Sequence, residues 1–185
     1  DSDFVVIIPG DAPLLLKENI DNLISVTSQG NVALGVLTAS VSDPTGYGRI
    51  VRDGNSISKI VEEVDASEPE REIKEVNSGM YCFNKNFLLE NIEKLDSNNE
   101  QNEIYLTDLI EIAFQNKLDT VIVQVSEDTI KGVNSMSQLN EVENSLREEL
   151  INSHMENGVY FQDTSSTYLD EEVVIKAGSR IMANT

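Results

Sequence analysis

The chain has 185 residues, enough for one domain with a substantial core, and its 39% hydrophobic content excludes an intrinsically disordered protein. Its formal net charge of −20 argues against partners such as nucleic acid or an anionic membrane, because binding to either requires a basic surface. The single cysteine, Cys82, cannot form an internal disulfide, which fits the reducing cytoplasm.

The first predicted element is a strand at Phe4–Ile8, a continuous apolar run typical of a parallel strand buried on both faces. Pro9, Gly10 and Asp11 follow it. Ligands of open α/β sheets bind at the carboxyl ends of strands, so the Asp11 carboxylate is a candidate Mg²⁺ ligand. An equally good alternative is that Asp11 caps the next helix, because Pro13 suits an early helical position.

A loop and a β-hairpin are predicted over residues 43–65. Gly46 lies in a turn sequence, and residues 53–55 (Asp-Gly-Asn) are a strong hairpin signal. Gly48 has no side chain, so a ligand can approach its backbone, and Glu62 can accept two hydroxyl hydrogens. The pattern is compatible with a sugar site, although spacing alone favours a solvated hairpin with a flexible lead-in.

Asn77 interrupts a third predicted core strand, residues 75–83. Its amide both donates and accepts, which suits sugar hydroxyls or an N-acetyl group, and Gly79 again permits close approach. The alternative is an amide that is satisfied by backbone groups. Thr107 and Asp108 lie where a further helix opens, and capping of that helix is favoured over substrate contact.

Two features are predicted near the end of the chain. The side-chain oxygen of Asn134 could complete a magnesium shell with Asp11, although asparagine is also a common helix N-cap. Leu169, Ile175 and Ile181 recur every six residues, as in a left-handed parallel β-helix. The remaining predicted helices are residues 17–28, 67–74, 84–95 and 135–153, and the remaining strands are residues 31–41, 119–125 and 158–161.

Six segments carry a family resemblance in the same order along the chain. They read PGDAPLL, DPTGYGRI, IVEE-x-DAS, EVNSGMYCF, NEIYLTDLI and KGVNSMSQL. Together they resemble the bacterial N-acetylglucosamine-1-phosphate uridyltransferase family of bifunctional enzymes, and the similarity covers essentially the whole chain. The resemblance implies transfer of UMP from UTP to N-acetylglucosamine 1-phosphate, giving UDP-N-acetylglucosamine for peptidoglycan and lipopolysaccharide precursors, and pyrophosphate.

The resemblance also implies roles for single residues. Mg²⁺ would be held by Asp11 and Asn134, and the amino sugar by Gly48, Glu62 and Asn77. The neighbouring Pro9 and Gly10 would line the nucleotide, and Asn134 would also contact the phosphates. Two positions depart from the family pattern: Pro9 replaces a residue that is often aromatic, and Val64 stands where relatives often carry a lysine beside Glu62.

The implied architecture is α/β. Residues 1–134 would form the C-terminal part of a Rossmann-like nucleotidyltransferase domain, with a mostly parallel sheet and an antiparallel hairpin insertion. Residues 135–157 would be a linker helix, and residues 158–185 the first coil of a left-handed β-helix, which in the family carries an acetyltransferase and forms homotrimers.

The family's Gly-rich phosphate loop is missing from this sequence, which also accounts for the lack of positive charge. We therefore expect the chain to be part of a longer cytoplasmic enzyme and not to turn over UTP by itself. Two alternatives remain: a nucleotidyltransferase for another sugar 1-phosphate, and a non-catalytic module that binds sugar nucleotides. The pairing of Glu62 with Asn77 argues for the N-acetylated sugar.

Overall fold

A computed structural model describes residues 2–185, and the chain divides into two compact units. The first unit extends to Gly132 and the second is Val133–Thr185. The domain boundaries expected after residues 134 and 157 stay predictions. Among residues 2–185, no helix has both the length and the apolar character needed to cross a membrane.

The first unit is a six-stranded sheet with helices, which confirms the predicted α/β class. Its strands are β1 (Phe4–Ile7), β2 (Val32–Ser40), β3 (Arg49–Asp53), β4 (Ser56–Val61), β5 (Glu75–Asn84) and β6 (Asp119–Val125). Its α-helices are α1 (Lys17–Thr27), α2 (Glu68–Arg71), α3 (Lys85–Asn91) and α4 (Asp108–Gln115). Two short 3₁₀ helices are Ile92–Lys94 and Asp128–Ile130. The strand order is β4-β3-β5-β2-β6, and β1 also pairs with β5.

The predicted mostly parallel sheet is wrong, because most pairs in the first unit are antiparallel. Within residues 2–185, the parallel pair of this sheet is β2 with β6, whereas β1 runs antiparallel to β5. The predicted burial of β1 on both faces is found only in part: Val5 and Ile7 pack on one core cluster, and Phe4 and Val6 on another. All four residues of β1 are nevertheless only half-buried. A continuous apolar run reports contact on both faces and does not report the direction of the neighbouring strand.

β2 is the most deeply buried strand of the first unit, and it lies between β5 and β6. Gly35 lets α1 pack closely on it, since a Cβ at this position would lie 2.2 Å from the Thr27 Oγ1 atom. The larger apolar cluster joins β2 to β3, β4, β5 and α4. This core fixes the base from which the hairpin and its preceding loop project.

The predicted loop and hairpin are confirmed. The Tyr47 N–H donates to the Pro44 carbonyl at 3.1 Å, and Gly46 has a φ of 85°, which glycine adopts without strain. Asp53 pairs with Ser56 across a two-residue turn, in which Gly54 has a φ of 59°. Both turns therefore follow from local residue chemistry.

The second unit contains one long helix and one pair of short strands: α5 (Met136–Glu156), β7 (Tyr160–Phe161) and β8 (Arg180–Ile181). β7 and β8 pair in parallel. Leu169, Ile175 and Ile181, the residues at six-residue spacing, all pack against one cluster that includes Ile151 and Phe161. The three apolar residues at six-residue spacing thus share one interior. The start of a β-helix stays a prediction.

Candidate functional site

The hairpin brings Glu62 against Gly48. Glu62 directly follows β4, and Gly48 directly precedes β3, so that the antiparallel pairing places the two side by side. A Cβ on Gly48 would lie 3.1 Å from Oε2 and 3.2 Å from Oε1 of Glu62, and 3.0 Å from the Ile60 Cγ2 atom. A Cβ at position 48 would therefore be in tight contact with the carboxylate, which would have to move by a few tenths of an ångström.

Thr107 contacts the same carboxylate. Its hydroxyl donates to Glu62 Oε1 at 3.4 Å, and the residue is only 6% exposed. Thr107 is the N-cap residue of α4, as predicted, but its side chain makes no capping hydrogen bond. The helix start serves instead to place a hydroxyl group beside Glu62.

The electrostatic setting of Glu62 disfavours its charged form. Burial raises the pKa of the Glu62 carboxyl, and the nearby Asp65 and Asp108 carboxylates raise it further, while the Thr107 hydrogen bond lowers it. Asp65 also has a buried Oδ2 atom that has no hydrogen-bond partner among residues 2–185. A carboxylate held under these conditions gains much from hydroxyl donors supplied by a ligand.

Asn77 completes this group through its backbone and its side chain. Its N–H donates to the Gly48 carbonyl at 2.8 Å. Its Oδ1 accepts from the Gly79 N–H at 3.0 Å and from the Tyr81 hydroxyl at 2.9 Å. Because a backbone N–H can only donate, the oxygen is committed to the protein, and the Nδ2 group is the part left to meet a ligand. The structure therefore unites Gly48, Glu62 and Asn77, as expected.

A bulge in β5 sets the position of Asn77. The register with β2 shifts between Val36 and Thr38, and Gly79 lies in the shifted segment with a φ of 77°. A Cβ on Gly79 would lie 3.1 Å from the Pro9 Cγ atom. Pro9 thus packs beside the bulge, which brings the segment after β1 close to the group around Asn77.

Gly10 and Asp11 form an exposed turn after Pro9. The alternative that Asp11 caps the next helix is wrong, because α1 begins at Lys17 and its N-cap is Leu16. The Asp11 carboxylate is therefore accessible and is not used by a helix end. Its proposed role as a metal ligand stays a prediction.

Asn134 lies in the second unit and is exposed. Its backbone N–H donates to the Gln138 Oε1 atom at 2.8 Å, whereas the N-cap of α5 is Ser135, whose hydroxyl accepts from the Gln138 N–H. The capping alternative for Asn134 is therefore wrong, and its side chain is free of that role. Its proximity to Asp11 stays a prediction. Within residues 2–185, no three His, Cys, Asp or Glu side chains converge as a ready-made metal site.

Comparison with protein families identifies the family of the chain that carries Gly48, Glu62 and Asn77. The family model described as nucleotidyl transferase matches residues 1–161. The chain belongs to the nucleotidyl transferase family. The match spans the whole first unit, including Gly48, Glu62, Asn77 and Thr107, and continues through α5.

Curated relatives share more than two-fifths of the residues of this chain. It is 44% identical over 173 residues to the bifunctional protein GlmU of Clostridium novyi, which covers 93% of this chain and 38% of that relative. It is 42% identical over 188 residues to the bifunctional protein GlmU of Clostridium botulinum strain 657, covering 98% of this chain and 41% of the relative. The chain thus spans about two-fifths of the length of these curated relatives.

A solved structure supports the fold. The CMP:2-keto-3-deoxy-manno-octonic acid synthetase in complex with CTP matches with a TM-score of 0.55 over 80% of this chain and 64% of that chain. The two sequences are 14% identical, so the likeness concerns the fold alone.

Sequence patterns gave little signal for two contacts in this group of residues. Thr107 lies 45 positions after Glu62, and a threonine before an apolar helix is typical of a cap. The Tyr81 hydroxyl, which fixes the Asn77 amide, lies in an apolar strand where a core role is expected; the residue is 3% exposed. The alternation of β5 places residues 77, 79 and 81 on one face of an ideal strand, and only this period-two signal could have suggested the contact.

Proposed function

We propose that this chain is the sugar-phosphate-binding part of an enzyme that transfers UMP from UTP to N-acetylglucosamine 1-phosphate, giving UDP-N-acetylglucosamine and pyrophosphate. The activity is assigned to the longer protein, since the chain spans about two-fifths of its relatives. A cytoplasmic location agrees with the one cysteine, Cys82, which is buried and free. Assembly as a homotrimer stays part of this proposal.

One observation carries the proposal: an acceptor and a donor of hydrogen bonds flank a glycine. The Glu62 carboxylate lies against Gly48 and accepts hydroxyl hydrogens, while the Asn77 Nδ2 group is left to donate. A sugar ring supplies adjacent hydroxyls for the carboxylate, and an N-acetyl group supplies a carbonyl oxygen for the amide donor. The Thr107 hydroxyl donates to the Glu62 carboxylate and so helps to orient it toward the sugar hydroxyls.

The binding residues contribute to the reaction by position and polarity. Gly48, Glu62 and Asn77 would fix the sugar ring and thereby aim the 1-phosphate oxygen at the α-phosphorus of UTP. That phosphate oxygen is the nucleophile, and pyrophosphate is the leaving group, so no protein nucleophile is required. Catalysis of this kind depends on orientation and on neutralising the charge that develops on the phosphates.

The donor chemistry of Asp11 and Asn134 fits Mg²⁺. One carboxylate and one amide oxygen, both exposed and free of capping roles, match a cation that takes few protein ligands and completes its shell with phosphates and water. When bound, Mg²⁺ neutralises phosphate charge. Such neutralisation matters here because the chain carries a formal net charge of −20.

The test is a titration of the purified chain with N-acetylglucosamine 1-phosphate and, separately, with glucose 1-phosphate. Binding is monitored through the backbone amide signals in NMR spectra. We expect saturable shifts at Gly48, Asn77 and Gly79 with the first ligand and at least about tenfold weaker binding of the second, which lacks the acetamido group. Equal affinity for both would favour the alternative of another sugar 1-phosphate. Absence of binding to either would overturn the proposal.

A variant completes this test. Glu62→Ala removes the carboxylate that accepts from the ring hydroxyls. It should therefore weaken sugar-phosphate binding at least about tenfold, which corresponds to the loss of roughly one hydrogen bond to a charged group. In the longer protein the same change should leave the KM for UTP nearly unchanged. A raised KM for UTP with an unchanged KM for the sugar phosphate would show that Glu62 does not belong to the sugar site.

A further inference from the structure

The neighbouring carboxylates Glu62 and Glu63 both contact the loop at residues 46–48. We propose that Glu63 and the buried Arg49 are positioning residues, which hold this loop so that Gly48 lies against Glu62. The inference rests on the proposed function to the extent that Gly48 and Glu62 bind the sugar. Neither Arg49 nor Glu63 is needed to touch the ligand in this scheme.

Arg49 is the most unusual side chain in the first unit. It is 1% exposed and is the largest of the fully buried side chains among residues 2–185. Its guanidinium donates to the Tyr47 carbonyl, to the Arg71 carbonyl at 3.4 Å and to Glu63 Oε2 at 2.5 Å. The planar fork of arginine suits such a set of three acceptors, whereas lysine offers a single point of charge.

Glu63 holds the other side of the same peptide segment. Its Oε2 accepts from the Gly46 N–H at 3.2 Å as well as from Arg49. The Arg49 hydrogen bond lowers the pKa of Glu63, so the carboxylate is charged at neutral pH. Each residue of the loop thus makes a backbone hydrogen bond. The Gly46 N–H donates to Glu63, the Tyr47 carbonyl accepts from Arg49, and the Gly48 carbonyl accepts from the Asn77 N–H.

Arg49 is a buried charge paired with Glu63, whose side chain is 31% exposed, and burying a charge costs desolvation free energy. Apolar residues of the same volume often give equal or greater stability, because the charges need not be desolvated. The pair formed by Arg49 and Glu63 instead fixes the conformation of the loop. Glu63 accepts from the Gly46 N–H, and Arg49 donates to the Tyr47 carbonyl. A loop that begins with a glycine at positive φ has many accessible conformations, and these hydrogen bonds select one of them.

The experiment compares Glu63→Gln with a matched control, Glu75→Gln. Both changes remove the carboxylate partner of an arginine in the same sheet. Glu75 pairs with Arg52 at 2.7 and 2.8 Å and has no hydrogen bond to residues 46–48. Two readouts are taken on the whole chain: amide hydrogen exchange at Gly46 and Asn77 without ligand, and binding of N-acetylglucosamine 1-phosphate.

We expect Glu63→Gln to raise the exchange rates of the Gly46 and Asn77 amides by about tenfold and to weaken sugar-phosphate binding by a similar factor. Glu75→Gln should change both by less than about twofold. Glu63→Asp, which keeps the charge on a shorter side chain, should recover part of the loss. Unchanged exchange in Glu63→Gln, or equal losses in the control, would overturn the proposal.

The two readouts separate this inference from the proposed function. If the unaltered chain does not bind the sugar phosphate, the proposed function fails, while the exchange rates still decide whether Glu63 positions the loop. If Glu63→Gln does not fold, as judged by its thermal unfolding, Glu63→Asp is compared with Glu75→Asp in the same two measurements.

Discussion

The two oxygens of Glu62 lie against the Cα of Gly48, 3.1 and 3.2 Å from the place where a Cβ would be. A side chain at position 48 therefore requires the Glu62 carboxylate and Ile60 to shift by a few tenths of an ångström. This contact joins the loop before β3 to the end of β4, and it makes the geometry of the carboxylate depend on a glycine 14 positions earlier in the chain.

The first prediction concerns that contact. Gly48→Ala should displace the Glu62 carboxylate and weaken binding of N-acetylglucosamine 1-phosphate by about tenfold or more, with a modest loss of stability because Ile60 must also shift. The double variant Gly48→Ala with Glu62→Asp has a shorter acid and should recover part of the affinity. Calorimetric titration of both proteins checks this, and unchanged affinity in Gly48→Ala would contradict it.

The second prediction concerns the charge of Glu62. Burial raises the pKa of Glu62, so the folded state holds its proton more tightly than the unfolded state, and the protein loses stability as the pH rises through this pKa. Glu62→Gln removes that penalty. At neutral pH it should therefore raise the melting temperature while it weakens sugar-phosphate binding.

The control for this prediction is Glu75, whose pKa is shifted in the opposite direction. Burial acts to raise the pKa of Glu75, but hydrogen bonds from Arg52 and Thr38 outweigh it and lower the pKa overall. Glu75→Gln should therefore lower the melting temperature at neutral pH. Sugar-phosphate binding by the unaltered chain should also weaken as the pH falls through the raised pKa of Glu62, because a protonated carboxyl accepts fewer hydroxyl hydrogens. A melting temperature lowered by Glu62→Gln would refute the argument.

The third prediction concerns Thr107. Thr107→Val keeps the shape of the side chain and removes the donor to Glu62. We expect sugar-phosphate affinity to fall several-fold and the pKa of Glu62, followed by NMR, to rise. Thr27→Val is the control, since Thr27 is also buried and its hydroxyl donates to the Leu23 carbonyl within α1. Equal losses of affinity in both variants would assign Thr107 a purely structural role.

The sequence predicted well those features that depend on neighbouring residues. The turn at Gly46 and the hairpin turn at Gly54 follow from glycine at positive φ. These features need no knowledge of the rest of the fold. The group of Gly48, Glu62 and Asn77 was expected because the family resemblance located its three members.

Other features depend on the whole fold and were not accessible from local patterns. The antiparallel pairing of β1 with β5 is a choice of neighbour, which an apolar run does not encode. Thr107 has the sequence position of a cap, yet packing of α4 against the hairpin directs its hydroxyl to Glu62. The orientation of the Asn77 amide is set by a bulge at Gly79, whose presence depends on the register with β2.

The last prediction uses that orientation. Asn77→Asp has nearly the same shape, but it replaces the Nδ2 donor with an acceptor and adds a negative charge near Glu62. The Oδ1 bonds from Gly79 and Tyr81 can be kept, so we expect the chain to stay folded. Binding of N-acetylglucosamine 1-phosphate should fall by at least about a hundredfold, since a donor is lost and a repulsive acceptor is gained.

Asn84→Asp is the matched control on the same strand. The Asn84 side chain accepts from the backbone N–H groups of Asn86 and Phe87 at the start of α3, and an aspartate accepts equally well at a helix N-terminus. Its affinity for the sugar phosphate should match that of the unaltered chain, measured by the same titration. If Asn77→Asp binds as tightly as Asn84→Asp, the amide of Asn77 does not donate to the ligand, and the preference for an N-acetylated sugar must come from another residue.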